Sequence, residues 1–411
     1  DRHWAGYTNA PFVLEEEEIE NLMEISMKRT ERYRVLKNAG IDMDSIRKNF
    51  NTPTEMTVFS WDGPIDTIMT PMDSMLYYKS YLQSALMSVE THTGHVKAYV
   101  GGNDYRFFKY DHVTQARRQV GSTFKPFLYS LAMQEGEYTP CTKVPNISYS
   151  IEMPDGKFWE PRDAGKSMLG EEVTLKWALA HSNNRISTYL MKRFGPEAVI
   201  QMARRMGVTS HIEPVPSICL GVCDISLYEM VGAMNTFANK GVYIKPIFIT
   251  KIEDKNGNVI EYFESEHVEA MDDVTAYKMI ELMKGVVQSG TGVRLKYKYG
   301  LRNPIAGKTG TTQNQSDGWF MGITPDLTTG IWTGAEDRAV HFRTIALGQG
   351  SNMALPIWAL YMQKVYADST LNISQGDFEK PLSDVSLEFD CELYEQEQSQ
   401  KNNIIEEEEE F

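Results

Sequence analysis

The chain has 411 residues, of which 42% are hydrophobic and 11% aromatic, so it is long enough for two or three domains and a large core. Its formal net charge of −15 argues against general binding to nucleic acids or anionic membranes, because both depend on clustered lysine and arginine. The sequence holds no run of about 18 apolar residues, so it predicts no membrane-spanning helix.

The first part of the chain is predicted to be a small α/β module. Acidic residues crowd the start of a helix predicted over residues 15–36, because the helix dipole favours carboxylates in the first turn. A short helix is expected over residues 44–50, and a hairpin follows around the turn Asp62-Gly63. The sequence opens with Asp1 and shows no signal-peptide pattern, so we expect it to be a piece of a longer protein.

Strand patterns flank the central part of the chain. Residues 86–89 and 96–100 predict one hairpin around Thr93-Gly94. Three later strands are predicted over residues 305–312, 318–323 and 328–334. We expect the two early and three late strands to join in one five-stranded antiparallel sheet, with a long insertion between them.

That insertion is predicted to be helical. Its first helix starts close to Ser122, since apolar residues then repeat at helical spacing and Pro126 is tolerated only near a first turn; Gly136 ends it. Further helices are predicted over residues 174–181, 185–194, 197–206, 226–239 and 274–288, and a final one over 354–367 covers the sheet. Beyond Ser369 the sequence turns polar and ends in the acidic run Glu406 to Glu410, which predicts a poorly ordered tail.

Four cysteines, Cys141, Cys219, Cys223 and Cys391, are too few for a disulfide scaffold. Cys219 and Cys223 would bridge only if the stretch between them turned helically, and we favour two buried small hydrophobic side chains. A zinc site that adds His211 matches no standard ligand spacing, and we expect neither a metal nor another cofactor.

Ser122-Thr-Phe-Lys125 places a serine and a lysine on one face of the predicted helix. A serine hydroxyl is a poor nucleophile until a neighbour accepts its proton, and a lysine can do so once burial or nearby cations lower its pKa. The spacing alone is weak evidence, because Ser45-Ile-Arg-Lys48 repeats it where an ordinary helix-cap serine is the simpler interpretation. Ser122 differs by following Gly121 and opening a strongly apolar helix; taken alone, a simple N-cap is an equally good interpretation.

Two later fragments are of the kind that completes such a site. Ser182-Asn183-Asn184 is either a polar turn between helices or a proton-transferring hydroxyl beside an amide that orients a substrate. Lys308-Thr309-Gly310 lies on a predicted strand, where the lysine either protects an edge or belongs to the site; the glycine lets a peptide approach the backbone. Together and in this order, the three fragments indicate serine acyl transfer.

With these motifs the chain resembles the transpeptidase region of class A, or bifunctional, penicillin-binding proteins. Residues 88–102, 174–180, 236–246 and 317–326 are similar to further stretches of that family, so the resemblance covers about residues 80–368. One loop departs from it, because Trp159-Glu-Pro-Arg-Asp163 stands where many relatives carry a Pro-x-Asn pattern.

The resemblance implies an α+β, penicillin-binding/β-lactamase-like fold, in which helices cover the five-stranded sheet and an all-helical subdomain adjoins it. Residues 1–79 would be the linker module, 80–368 the transpeptidase domain and 369–411 the acidic tail. The family's glycosyltransferase domain and membrane anchor would lie upstream. We expect the fragment itself to be soluble and to act extracytoplasmically, at the periplasmic face of the bacterial inner membrane.

The resemblance also implies catalytic roles. Ser122 would be the acylated nucleophile, and Lys125, kept neutral by Lys308, would be its general base. Ser182 would pass a proton to the leaving group. Asn184 would bind the substrate peptide and help to hold Lys125.

Substrate binding is implied for the strand of the third motif. Lys308, Thr309 and Thr311, with Gly310 between them, would hold a terminal carboxylate, and the backbone N–H groups of Ser122 and Thr311 would form the oxyanion hole. The implied donor is a D-Ala-D-Ala stem peptide, and the acceptor is an amine of a second stem peptide in peptidoglycan. β-Lactam antibiotics would acylate Ser122 as mimics of the donor.

Three other functions of the same fold stay open and rank below transpeptidation: a D,D-carboxypeptidase, a β-lactam sensor or non-catalytic cell-wall binding module, and a β-lactamase. A β-lactamase predicts a glutamate that activates a deacylating water, usually within Glu-x-x-Leu-Asn. The sequence contains no such pentapeptide.

Overall fold

The computed structural model describes residues 12–396 except for residues 136–137, 154, 162–166 and 384–388. The predicted helix end at Gly136 and the acidic run Glu406 to Glu410 therefore lie outside the described residues. None of the helices in the described ranges is long and apolar enough to span a membrane.

One five-stranded antiparallel sheet forms the centre of the fold. Its strands are β1 (Leu82–Glu90), β2 (Val96–Val100), β3 (Ala306–Thr311), β4 (Asp317–Ile323) and β5 (Leu327–Ala335). Their spatial order is β3-β4-β5-β1-β2, so two early strands join three late ones, and this prediction is confirmed. The edge strand β3 carries the Lys308-Thr309-Gly310 motif and pairs with β4, so that Lys308 lies opposite Met321.

The sheet is buried on both faces because successive side chains of a strand point to opposite sides. In β4, Trp319 and Met321 belong to the core on one face, whereas Phe320 belongs to the core on the other. A helix over Leu355–Ala367 covers the second face, as predicted, and its Trp358 ring contacts Phe320 at 5.3 Å between centroids. A Cβ atom on Gly322 would lie 2.2 Å from that indole, so only glycine permits this packing.

The insertion between β2 and β3 is mainly helical, as the periodicity predicts, and its helices pack on the first face of the sheet. The capping box of Ser226 and Glu229 is present, and Asp272 caps the long helix before β3. The longer helices of its described part are α1 (Lys125–Gln134), α2 (Leu175–Ala180), α3 (Asn184–Phe194), Pro196–Arg205, α4 (Leu227–Ala238) and α5 (Asp273–Gln288), and a short helix, Arg294–Tyr297, follows α5.

The described part of the insertion contains five short two-stranded ribbons, and the sequence patterns missed them because each strand has only two to four residues. Two of the ribbons are local hairpins, and the other three join segments that lie far apart in the sequence. They pair Arg118–Gln119 with Asp224–Ile225, Lys143–Pro145 with Glu172–Thr174, Ile151–Glu152 with Phe158–Trp159, Val242–Ile244 with His267–Glu269, and Lys251–Glu253 with Val259–Tyr262.

The N-terminal module differs from prediction at its first helix. Instead of one helix over residues 15–36, there are two, Glu16–Lys28 and Glu31–Asn38. Thr30 separates them, because its side chain accepts the Tyr33 backbone N–H and so starts a new helix.

The rest of the module follows the prediction more closely. The helix Met43–Phe50 and the hairpin of Thr54–Val58 with Ile65–Met69 are confirmed, and an additional helix, Pro71–Lys79, leads into β1. Ser45 lies inside the first turn of its helix and is not the cap, since Asp42 accepts its backbone N–H.

Some of the described residues after Ser369 contact the domain, while the expectation of a poorly ordered tail stays a prediction. Cys391 forms a disulfide bond with Cys141, Phe378 is buried in the large core, and Asp377 pairs with Lys284 of α5. The polar composition of the segment does not indicate these contacts, because only a few of its side chains make them.

Cys219 and Cys223 are buried and form no disulfide, as favoured from the sequence. Burial raises the pKa of the Cys219 thiol to about 12, so this side chain is an unreactive part of the core.

We expect Cys391→Ser to lower the thermal unfolding midpoint and to expose the segment after Ser369 to proteases. A cross-link between residues 250 positions apart stabilises a fold by about 2–4 kcal/mol. Calorimetry and limited proteolysis measure both effects. Cys223→Ala is the matched control, since it removes a sulfur without removing a cross-link; equal cleavage of the segment in both variants would contradict the expectation.

Candidate active site

Ser122 lies in a tight turn that leads directly into α1. The turn Gly121–Phe124 is a 3-10 helix, and Lys125 is the first residue of α1. Pro126 occupies the second position, where its missing N–H costs no helical hydrogen bond. Ser122 is partly exposed and Lys125 fully buried, so a substrate reaches the hydroxyl but not the amine.

Glycine allows this turn to lie against β3. Gly121 has a φ of +53°, and a Cβ atom there would lie 2.6 Å from the carbonyl oxygen of Thr311. A Cβ atom on Gly310 would lie 2.8 Å from both the Val120 carbonyl oxygen and the Thr123 methyl group. Gly310 therefore serves the packing of the turn against the strand, whereas the sequence suggested that it makes room for a substrate.

Lys125 reaches the Ser182-Asn183-Asn184 motif. Its Nζ donates to the Ser182 carbonyl oxygen at 2.5 Å, to Asn184 Oδ1 at 2.7 Å and to the Asn183 carbonyl oxygen at 3.2 Å. It also lies 3.3 Å from Ser182 Oγ. These oxygens replace the water that would otherwise surround the buried amine.

Ser182 adopts an unusual backbone conformation that directs its polar atoms towards the lysines. Its φ is +56°, in the left-handed region that costs a residue other than glycine about 1–3 kcal/mol. Asn183 starts α3 by accepting the Ile186 N–H, and its Nδ2 donates to the fully buried Asn146. The motif is thus a rigid polar turn between α2 and α3, and the same residues contact Lys125 and Lys308. The two interpretations from the sequence, a turn and a functional group, are therefore compatible.

Lys308 approaches the same hydroxyl from the other side. It is fully buried, and its Nζ donates to Ser182 Oγ and to the Thr309 carbonyl oxygen, each at 3.0 Å. Burial holds the pKa of Lys308 well below its usual value, and the nearby Lys125 lowers it further. That Lys308 in turn keeps Lys125 neutral stays a prediction.

The alternation of β3 separates the lysine from the threonines. Thr309 and Thr311 line a cleft of about 880 Å³, whereas Lys308 and Gly310 face the packed helices. A fully buried Lys308 is not an edge-protecting lysine, so that alternative is wrong.

The same cleft contains the other candidate residues and part of the atypical loop. Ser122, Ser182 and Asn184 line it, as do Trp159 and Glu160. Pro161 follows on the same wall, whereas Arg162 and Asp163 lie outside the described residues. A volume of this size matches clefts that bind small ligands or short peptides.

A buried carboxylate ties the start of β4 to the strand before Ser122. Asp317 is fully buried and accepts from Arg118 Nε at 2.6 Å and from Trp332 Nε1 at 2.9 Å. Trp319 Nε1 donates to the Gln119 carbonyl oxygen at 2.8 Å. The sequence reasoning missed this link; its only local signal is a charged residue, Asp317, at the start of an apolar strand.

Thr291 is a second residue that the motifs missed. Its Oγ1 lies 2.6 Å from Thr309 Oγ1, and it lines the cleft beside the third motif. The residue follows α5 in a Gly-Thr-Gly turn, which by itself indicates only the end of a helix.

Two protein-family models match the chain. A model of the penicillin-binding protein middle domain matches residues 7–82. A model of the penicillin binding protein transpeptidase domain matches residues 85–335, which is more than half of the chain.

Individual relatives agree with the family models. Penicillin-binding protein 1A of Aquifex aeolicus is 33% identical over 304 residues, covering 73% of this chain and 40% of that protein. The chain therefore spans about two fifths of the length of this curated relative.

Solved structures share the fold. Penicillin-binding protein 1A from Haemophilus influenzae superimposes with a TM-score of 0.65 at 24% identity, covering 73% of this chain and 49% of that one. The PonA1 protein from Mycobacterium tuberculosis, in complex with penicillin V, gives 0.60 at 23% identity, covering 89% and 96%. The chain belongs to the class A penicillin-binding protein family, and its central region is the transpeptidase domain of that family.

Proposed function

We propose that this chain is a serine D,D-transpeptidase that cross-links peptidoglycan stem peptides through an acyl-enzyme on Ser122. One observation carries the proposal: the amines of Lys125 and Lys308 meet at Ser182 Oγ, at 3.3 and 3.0 Å. This relay opens into a cleft lined by Ser122, Thr309 and Thr311. A nucleophile, a proton relay and a carboxylate-binding strand are the parts that acyl transfer from a peptide requires.

Binding of the donor prepares the base. Its terminal carboxylate, held by the hydroxyls of Thr309 and Thr311, lies above Lys308 and favours the charged form of that amine. One proton then moves from Lys125 to Ser182 Oγ as the Ser182 hydroxyl proton moves to Lys308. Lys125 becomes neutral and accepts the Ser122 proton, so the substrate itself switches on the nucleophile.

Acylation and transfer follow from these positions. Ser122 Oγ attacks the carbonyl carbon between the two D-alanines, and the developing oxyanion binds the backbone N–H groups of Ser122 and Thr311. The N–H of Thr312 pairs with Asp317, and because the N–H direction alternates along a strand, that of Thr311 points to the open edge of β3.

Departure of the terminal D-alanine completes the first half of the reaction. The Ser182 hydroxyl transfers a proton to the leaving amine as the C–N bond breaks, and Lys125 returns to Ser182 the proton that it took from Ser122. Asn184 holds the remaining peptide. The amine of a second stem peptide then attacks the ester and loses a proton to Lys125 as the new amide forms, and Lys125 passes that proton to Ser122 as the ester bond breaks. A β-lactam acylates Ser122 by ring opening, and the leaving group stays attached, so its adduct persists.

The domain organisation and location are proposed together. Residues 1–79 form the linker module, 80–368 the transpeptidase domain and 369–411 a tail, in a longer protein with a glycosyltransferase domain and a membrane anchor. The relative that is about two and a half times as long as the matched region supports this organisation, as do the two matched family models. An extracytoplasmic, periplasmic location is supported by the Cys141–Cys391 disulfide, because disulfides persist in oxidising compartments.

Incubation with a D-Ala-D-Ala stem peptide and an amine acceptor should give the new peptide bond, measured by chromatography and mass spectrometry. Formation of the free acid alone would indicate a D,D-carboxypeptidase, and no product at any enzyme concentration would indicate a sensor or binding module. Rapid turnover of penicillin in a parallel reaction would indicate a β-lactamase.

Intact-mass spectrometry after penicillin treatment should show one adduct on the natural chain. Ser122→Ala and Lys125→Ala should abolish it, the first by removing the nucleophile and the second by removing its base. The chain contains its own matched controls: Ser45→Ala and Lys48→Ala alter the same spacing outside the cleft and should leave the adduct unchanged. An acylation rate near that of the natural chain in Lys125→Ala would refute the base assignment.

The acylation rate should fall as the pH decreases through the lowered pKa of Lys308. Below that pKa both lysines are charged and neither accepts a proton, whereas above it one amine is neutral. Since the pKa lies well below 10.5, acylation should persist far below that pH. Stopped-flow acylation by penicillin, with circular dichroism as a control for folding, measures the profile; a rate that rises only near pH 10.5 would contradict it.

A further inference from the structure

We propose that Thr291 is a positioning residue for the donor carboxylate, acting by orienting the hydroxyl of Thr309. This inference rests on the proposed function and adds a residue outside the three motifs. The two hydroxyl oxygens are 2.6 Å apart, and both residues line the cleft.

The number of hydroxyl protons explains why the pair matters. Each hydroxyl has one hydrogen, and one of the two hydrogens lies in the contact between Thr291 and Thr309. When Thr291 donates, the hydrogen of Thr309 stays available for an oxygen of the carboxylate. Without Thr291, Thr309 Oγ1 loses this donor, and the direction of its own O–H is no longer set.

The electrostatics of the cleft make such hydroxyls important. Among the described residues that line it, none is lysine or arginine. Beneath β3, the Lys308 amine donates to the Thr309 carbonyl oxygen, and in the proposed mechanism it becomes charged when the donor carboxylate binds. A carboxylate in the cleft thus contacts neutral hydroxyls that lie above a buried amine. The orientation of each O–H group determines whether it donates a hydrogen bond to the carboxylate.

The backbone places Thr291 independently of its side chain. Its N–H donates to the Ala180 carbonyl oxygen at 3.1 Å, two residues before Ser182. A Cβ atom on Gly290 would lie 2.1 Å from the same oxygen, so the turn packs directly against the end of α2. Gly292 donates to the Val286 carbonyl oxygen at 2.8 Å and fixes the other side. Thr291→Val, which keeps the branched shape, therefore removes the hydroxyl with little change to the fold.

The test compares two stem-peptide donors that differ only at the C-terminus, one a free acid and the other its carboxamide. We expect Thr291→Val to reduce the second-order rate of Ser122 acylation by the acid about ten- to a hundredfold, the usual effect of losing a hydrogen bond to a charged group. The rate with the carboxamide should change less than about twofold. Thr291→Ser should restore the rate with the acid.

Ser217→Ala is the matched control, since it removes a hydroxyl from the same cleft and should leave the acid-to-carboxamide ratio unchanged. Equal losses with both donors, or no loss with the acid, would overturn the inference. If neither peptide acylates the natural chain, the proposed function fails. The same comparison made with benzylpenicillin and its methyl ester then decides on Thr291: a selective loss with the acid supports it, and any other result overturns it.

Discussion

Two buried lysine amines share one serine hydroxyl, and the arrangement of the surrounding elements depends on that contact. Placing an ammonium in a protein interior costs several kcal/mol unless polar atoms replace its water, on the order of the stability of a whole domain. Ser182, Asn183 and Asn184 supply those atoms to Lys125. Burial, together with the nearby Lys125, lowers the pKa of Lys308.

That contact needs three separate parts of the chain within a few ångströms of one another. Glycine at 121 and 310 removes the Cβ atoms that would keep the turn away from β3. Asp317, through Arg118, ties the start of β4 to the strand that precedes Ser122. The left-handed conformation of Ser182 is a local cost that these long-range contacts offset. The site is therefore held by the core rather than by its own loops.

Much of the fold was predictable because its elements have strong local signals. The two early and three late strands alternate or run apolar, and the helix before β3 repeats its apolar residues and has an aspartate cap. Prediction from the sequence failed where a single contact determines the local structure. Thr30 divides one predicted helix into two, and the Cys141–Cys391 disulfide joins two cysteines whose pairing no local pattern indicates.

By itself, the sequence determined the order of the three motifs and the secondary structure in which each lies. It also distinguished Ser122 from Ser45, because all three conclusions depend on neighbours along the chain. Only the tertiary structure decided that the pKa of Lys308 is lowered, why residue 310 is a glycine and that Thr291 contacts Thr309. Each of these depends on burial and on distances between segments far apart in sequence. The spacing of residues along the chain gives neither their burial nor the distances between them, because both arise only when the sheet and the helices pack together.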